Sequence, residues 1–161
     1  MSTLATGKGL PNVVVTGFAM TTALAADGED TWKKLLDGQS GIRKLTDSFI
    51  EEYDLPVRIG GHLIETPESF DEGLSRTELR RLSYLQKMAL ALSRRAWEHA
   101  GSPEVDTRRL MVSIGTGMGS SEELVWAYDG MRERGLKAVS PLVVQKYMPN
   151  GAAAAVGLDR K

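Results

Sequence analysis

The sequence has no cysteine among its 161 residues and only two histidines, His62 and His99. Without cysteine, these residues form no disulfide, hold no metal through thiolates and offer no thiol nucleophile. Neither histidine lies at a recognisable spacing from a nucleophile or from a second metal ligand. We therefore expect structural or surface positions for both histidines, and no metal site.

The sequence also lacks an excess of either charge and any long apolar run. Its 20 Lys and Arg residues nearly balance its 21 Asp and Glu residues, which leaves a formal net charge of -1. This balance gives no general attraction to nucleic acid or to anionic membranes. No run approaches the length of a membrane span, and the first residues lack the apolar core of a signal peptide. These absences predict a soluble cytoplasmic protein with no nucleic-acid partner and no membrane span.

The composition is that of an ordinary globular domain. Hydrophobic residues make up 42% of the chain and charged residues 25%, which is enough apolar material for one core. Residues 1–11 are small and polar and contain Gly and Pro, so they predict a flexible tail. The domain is then expected to cover residues 12–161.

The most informative stretch is residues 110–134, LMVSIGTGMGSSEELVWAYDGMRER. Residues 110–114 have the apolar, partly β-branched composition of a strand buried on both faces. A glycine-rich turn follows at residues 115–119, and Ser120 with Glu123 has the spacing of a capping box for a helix over residues 121–134. A strand, a turn and a helix in this order predict half of an α/β unit, whose ligand would approach the turn.

Other patterns predict few strands and several helices. Residues 13–16 read as a second buried strand, and residues 57–63 as a short strand or extended edge. Further helices are expected at residues 31–37 after the caps Asp27 and Asp30, at 76–82 after a Ser75–Glu78 capping box, at 84–100 and at 152–158. Two buried strands cannot form a parallel sheet that carries helices on both faces. The sequence therefore predicts an incomplete α/β unit.

The glycine-rich turn admits two interpretations. A dinucleotide-binding turn would have its third glycine where Ser120 stands, and Asp129 is too near to serve as the acidic residue that binds a ribose. The alternative is a turn whose glycines let two backbone segments approach closely. We favour close packing, and nucleotide binding stays open as a weaker hypothesis.

Two further groups of side chains are candidates for binding. The cationic residues of two consecutive helices predict either a solvated basic face or a docking surface for an acidic partner. Met118, Tyr147 and Met148 flank glycines on loops, where they either fill the core or line an apolar ligand channel. The cationic residues are Arg76, Arg80, Arg81, Lys87, Arg94 and Arg95.

Several segments resemble β-ketoacyl-acyl-carrier-protein synthases in order and spacing. Residues 13–17 (VVVTG) and 31–42 (TWKKLLDGQSGI) resemble the opening of that family. Later landmarks are IGTGMG at 114–119, VSP at 139–141 and MPNGAA at 148–153. The closer details IGGHL, AGSPEVD and VQKYMPNGAAAAVGL resemble the KasB type, which elongates mycolic-acid precursors.

The resemblance implies a thiolase-like α/β fold, which in the intact family has two pseudo-symmetric halves and five α/β/α/β/α layers. This chain would be an incomplete N-terminal half. It implies condensation of an acyl chain with malonyl-acyl carrier protein, without a cofactor. The implied partners are acyl carrier protein, acyl and malonyl thioesters, and a second subunit in a homodimer.

The resemblance also assigns roles to residues. It places Gly117, Met118, Glu122, Tyr147, Met148, Pro149 and Asn150 at the acyl channel and the dimer-facing surface. Arg76, Arg80 and Arg81 correspond loosely to a carrier-protein docking surface. The family's catalytic cysteine and both catalytic histidines match no residue of this chain, so we expect no activity from it alone. A non-catalytic acyl-binding or dimerisation module is the alternative function.

Overall fold

The computed structural model describes residues 12–160, so the predicted tail at residues 1–11 lies outside the described residues. Within this range the chain forms seven α-helices and one two-stranded antiparallel sheet. The helices are α1 Gly28–Leu36, α2 Ser48–Glu52, α3 Arg76–Arg81, α4 Tyr84–His99, α5 Ser121–Arg134, α6 Val143–Tyr147 and α7 Gly151–Asp159. The strands are β1 Arg43–Lys44 and β2 Ile59–Gly60, with Arg43 opposite Gly60. Short 3₁₀ turns span Pro67–Phe70, Thr107–Arg109 and Leu136–Ala138.

Helix α4 forms the centre of the packed part and confirms the helix predicted from its periodicity. Its N-cap Ser83 and Gln86 form a capping box, which satisfies backbone donors at the first turn. Leu90 of α4 is 3% exposed and packs in the core with the small residues of α7. Small residues let the two helix backbones approach, which explains the run of alanines over residues 152–155.

The shorter predicted helices are confirmed at their caps. The Asp27 side chain accepts a hydrogen bond from the Asp30 backbone N–H at 2.9 Å, and α1 follows. The Ser75 backbone N–H donates to Glu78 at 2.8 Å, so the predicted capping box opens α3. These hydrogen bonds stabilise the ionised Glu78 carboxylate and lower its pKa.

The two predicted buried strands are wrong. Residues 13–16 and 110–114 are extended, but neither pairs with another strand within residues 12–160. Val13 is 91% exposed and Met111 is 84% exposed, whereas a strand inside a sheet would be covered. A strand obtains its backbone hydrogen bonds only from neighbours, and the described residues supply none here.

These extended segments lie beside α4 instead. Residues 16–17 and 110–115 line an open groove of about 690 Å³ together with α4. The apolar stripe predicted for this helix faces that groove and comprises Leu85, Met88, Ala89, Leu92 and Ala96. Gly17 anchors one segment, because a Cβ there would lie 2.5 Å from the Ala96 carbonyl oxygen.

The region between α1 and α3 contains elements that its irregular pattern did not predict. The short helix α2 buries Ile50, and β1 pairs with β2. The edge predicted at residues 57–63 is confirmed only at Ile59–Gly60. Residues 65–75 include the 3₁₀ turn that buries Phe70 against α4. Within residues 12–160, no helix combines the length and the apolar character needed to cross a membrane.

Candidate functional site

The glycine-rich turn meets the end of α6 at Gly119. This glycine has φ of +62°, and a Cβ there would lie 2.5 Å from the Tyr147 carbonyl oxygen and 3.2 Å from the Pro149 nitrogen. Only glycine combines the left-handed conformation with so close an approach. By contrast, no atom lies within 4 Å of the equivalent position at Gly117. The geometry therefore favours the close-packing interpretation of the turn and assigns that packing to Gly119.

Ser120 links the turn to the start of α4. Its side chain is 1% exposed, and its hydroxyl lies 2.6 Å from the Ser83 hydroxyl, with either group able to donate. Ser120 makes no side-chain cap bond to α5, so the predicted Ser120–Glu123 capping box is wrong. The hydroxyl is used for a contact between two helix starts, which the local spacing could not reveal.

Gln86 joins the same junction to the end of α6. Its Oε1 accepts from the Ser83 backbone N–H at 3.0 Å. Its Nε2 donates to the carbonyl oxygen of Gln145 at 3.0 Å and to that of Lys146 at 3.5 Å. The side chain is 2% exposed, so both ends of the amide are satisfied inside the protein. Sequence reasoning did not select Gln86, although Ser83 and Gln86 have a capping-box spacing.

A third link is ionic. The Lys146 ammonium lies 3.1 Å from a Glu123 carboxylate oxygen, and both side chains are less than one-fifth exposed. This pair joins α6 to the first turn of α5, where a carboxylate also complements the helix dipole. Glu123 is therefore used to hold α6 rather than to cap its own helix.

The predicted substrate-binding residues fall into a connected group and an adjoining one. Residues 117–118 and 147–150 are brought together by the contact at Gly119. Met118 is 71% exposed and Met148 is 42% exposed, so both thioethers lie at the surface of this junction. Glu122 lies on the first turn of α5, half-buried.

Exposed apolar side chains also occur along α5 and on the segments after it. The bulkiest of them is Trp126, which is 64% exposed. The other exposed apolar residues on α5 and on the segments after it are Leu124, Val125, Tyr128, Met131, Leu136 and Val144. Such a surface on a folded chain is typical of a binding site or a subunit interface.

The predicted basic face divides into paired and unpaired cations. Arg94 binds Asp159 at 2.6 Å, Arg95 binds Glu65 at 2.7 Å, and Lys87 binds Asp71 at 2.7 Å. The bidentate hydrogen bonds from Arg95 lower the pKa of Glu65, and those to Asp159 raise the pKa of Arg94. These three cations therefore hold the fold together.

The remaining cations, Arg76, Arg80 and Arg81, are exposed on α3. Within the described part of the chain, none of the three forms an ion pair. Only this part of the predicted basic face is available to a partner.

Neither histidine is arranged for catalysis. The Nδ1 atom of His99 accepts from the Phe18 backbone N–H at 3.2 Å, and the two rings meet edge to face. The exposed His62 lies 3.7 Å from Asp47. Across residues 12–160, no group of three or more His, Asp or Glu side chains could hold a metal ion.

Comparison with protein families places this geometry in a known context. The family model for the β-ketoacyl synthase N-terminal domain matches residues 11–160. The chain belongs to the β-ketoacyl synthase family. The resemblance of its motifs is thereby confirmed at the level of the family.

Two mycobacterial relatives are similar over nearly the whole chain. The present chain is 72% identical over 160 residues to 3-oxoacyl-(acyl-carrier-protein) synthase 2 of Mycobacterium bovis, covering 99% of this chain and 38% of that protein. It is 74% identical over 156 residues to the protein of the same name in Mycobacterium leprae, covering 97% of this chain and 36% of that protein. The chain thus spans less than two-fifths of the length of these relatives.

Solved structures confirm the fold. A β-ketoacyl synthase from Burkholderia phymatum STM815 superposes with a TM-score of 0.71 at 24% identity, covering 90% of this chain and 36% of that chain. A type II polyketide ketosynthase, solved in complex with its acyl-carrier protein, superposes with a TM-score of 0.63 at 15% identity, covering 90% and 38%. The predicted thiolase-like ketosynthase fold is therefore confirmed, with the chain forming a partial, helix-rich N-terminal segment of it.

Proposed function

We propose that this chain is the N-terminal part of a β-ketoacyl-acyl-carrier-protein synthase and forms one wall of its acyl-chain channel. The proposal rests chiefly on the contact at Gly119, which brings the turn bearing Met118 against residues 147–150. The identity of 72% to a mycobacterial synthase supports the assignment to that reaction class.

In this reaction a malonyl thioester loses carbon dioxide, and the resulting carbanion attacks an acyl thioester. A carbon–carbon bond forms, and the thiol that carried the acyl chain leaves. An acyl chain is long, flexible and apolar, and methionine side chains adapt to such ligands. We propose that Met118, Tyr147 and Met148 contact the chain, while Gly117, Glu122, Pro149 and Asn150 shape the surface around them.

We propose that the nucleophile, a cysteine in the family that the sequence resembles, lies outside these 161 residues, because they include no cysteine. We therefore propose that they supply binding and shape, and show no turnover by themselves. The resemblance of IGGHL and VQKYMPNGAAAAVGL to the KasB type supports precursors of mycolic acids as the acyl chains.

The remaining surfaces suggest partners. The unpaired cations Arg76, Arg80 and Arg81 would attract an acidic acyl carrier protein by electrostatic steering. Exposed apolar residues of α5, such as Trp126, would pack against a second subunit in a homodimer. We propose the cytoplasm as the location.

Photolabelling tests the channel directly. The full-length synthase that carries this segment is loaded with an acyl-carrier protein whose acyl chain bears a terminal diazirine. After irradiation, peptide mass spectrometry is expected to find adducts on residues 118 and 147–148. Trp32 is a matched control, since it is 62% exposed on α1 but far along the chain from the turn. Adducts on α1, with none at the turn, would contradict the proposal.

A non-catalytic acyl-binding or dimerisation module is the second candidate, and the exposed apolar residues of α5 favour it. The two candidates differ in turnover. A full-length protein that condenses acyl- and malonyl-acyl carrier protein is a synthase, whereas one that binds both without condensation supports the module.

A further inference from the structure

We propose that Gln86 is a positioning residue that fixes residues 145–150 and thereby sets which acyl chains the channel accepts. This inference rests on the function proposed above, because it concerns the wall of that channel. Gln86 itself does not touch the acyl chain. It is 2% exposed and lies behind the segment that carries Tyr147 and Met148.

The carbonyl oxygens that Gln86 binds are ones that α6 leaves without partners. A helix ends with carbonyl groups that have no intrahelical donor. The Met148 backbone N–H satisfies Val144, but the next two carbonyls, at Gln145 and Lys146, accept from Gln86. The carboxamide therefore satisfies carbonyl groups at the end of α6, just before the chain turns toward Pro149.

The start of α7 is shaped to admit this carboxamide. Gly151 is buried, and a Cβ there would collide with the Nε2 atom of Gln86. A Cβ would also lie 3.2 Å from the Gln145 carbonyl oxygen. The absence of a side chain at this position is therefore a requirement of the Gln86 contact.

The segment is thus held from two sides. Gln86 holds the carbonyls of residues 145 and 146, and Gly119 packs on the backbone of residues 147 and 149. The side chains of Tyr147 and Met148 project from a backbone that both contacts fix. A wall held in place before binding loses little conformational freedom when an acyl chain docks.

One substitution separates the two ends of the carboxamide. Gln86→Glu keeps an acceptor for the Ser83 N–H but replaces the donor by an oxygen that repels two carbonyls. We expect the KM for the acyl-loaded carrier protein to rise about 10-fold. The two buried carbonyls would lose their donor, and an unsatisfied buried acceptor in a binding site weakens binding by about that factor. The kcat should change less, and the preference among acyl-chain lengths should broaden.

The controls test whether any change is merely structural. Gln39→Glu makes the same chemical change at an exposed glutamine that follows α1, so KM and chain-length preference should stay as in the unsubstituted enzyme. Ser83→Ala removes the cap and the Ser120 contact but keeps the Gln86 donor. It should lower the melting temperature without broadening the chain-length preference.

The measurement uses the full-length synthase that carries this segment, with acyl chains of several lengths. If the unsubstituted enzyme fails to condense, the proposed function fails. If it condenses and Gln86→Glu matches Gln39→Glu in both KM and chain-length preference, the positioning role is overturned. If Gln86→Glu does not fold, Gly151→Ala displaces the same carboxamide and must give the same rise in KM, and an unchanged KM there overturns the role equally.

Discussion

Two regions of this chain contain apolar residues but differ in how well those residues are buried. In the junction of α4, α6 and α7, Leu90 and Val156 are almost fully buried and Gln86 has both amide ends satisfied. In the extended segments 12–17 and 110–115, Val13 and Met111 are exposed and no ladder forms. Helices satisfy most backbone groups internally, whereas strands depend on neighbours. A helical junction can therefore form from one stretch of chain when a sheet cannot.

The largest difference between the regions should appear on truncation of apolar side chains. Leu90→Ala is expected to lower the free energy of unfolding by about 2–5 kcal/mol, because it leaves a cavity in the core. Met111→Ala, in an extended segment, should change it by no more than about 0.5 kcal/mol. Urea unfolding measures both, and equal losses would show that the extended segment is covered.

Gly119→Ala should weaken the junction next most strongly. The substitution forces a Cβ into a left-handed conformation and against the Tyr147 carbonyl oxygen, so a loss of about 2–3 kcal/mol is expected. Gly117→Ala is the matched control, because its Cβ would meet no atom within 4 Å. Equal effects of the two substitutions on unfolding would refute the assignment of close packing to Gly119.

The outcome at this turn shows how far sequence reasoning reaches. The close packing at this turn could be predicted because glycine has no side chain. The helix caps at Ser75 and Asp27 could be predicted from the spacing of residues along the chain. The partners of Ser120 and Gln86 are 37 and 59 residues away in the chain, so no local pattern could identify them. The strand at residues 110–114 was mispredicted because apolar composition indicates a preference for burial but does not supply a neighbouring strand.

The candidate site was likewise predictable only in part. Motif resemblance selected Met118 and residues 147–150, and the structure brings them together. The charge pattern of two consecutive helices grouped six cations that the structure divides, because ion pairs such as Arg95–Glu65 join residues 30 positions apart. Sequence analysis did not identify Gln86, because the only local pattern around this buried amide is its capping-box spacing from Ser83.

Ser120→Ala should have a smaller effect than Gly119→Ala. Removing one hydroxyl leaves the buried Ser83 hydroxyl with one partner fewer, which is expected to cost about 1–2 kcal/mol. Ser113→Ala, in an extended segment, removes an exposed hydroxyl and should leave the melting temperature unchanged. Thermal melting of the three proteins checks this, and no loss for Ser120→Ala would mean that the hydroxyl pair does not stabilise the junction.

The smallest effect is expected from pH at the Glu65–Arg95 pair. Hydrogen bonds from Arg95 lower the pKa of Glu65 below its ordinary value of 4.5. The carboxylate therefore stabilises the folded state above pH 4.5, and that stabilisation is lost as the pH falls through the lowered pKa. Glu65→Gln should be less stable than the unsubstituted chain near neutral pH, with the difference shrinking in acid. A stability difference between the two proteins that grows as the pH falls would contradict this prediction.

Residue-resolved amide hydrogen exchange on the 161-residue chain tests the contrast between the regions most directly. Exchange of backbone amides requires opening of their hydrogen bonds, so protection reports which segments are held. We expect slow exchange in α4 and α7 and at Met148 and Gly151, whose amides are hydrogen-bonded. Residues 13–16 and 111–114 should exchange fast. Protection of these extended segments equal to that of α4 would contradict the account.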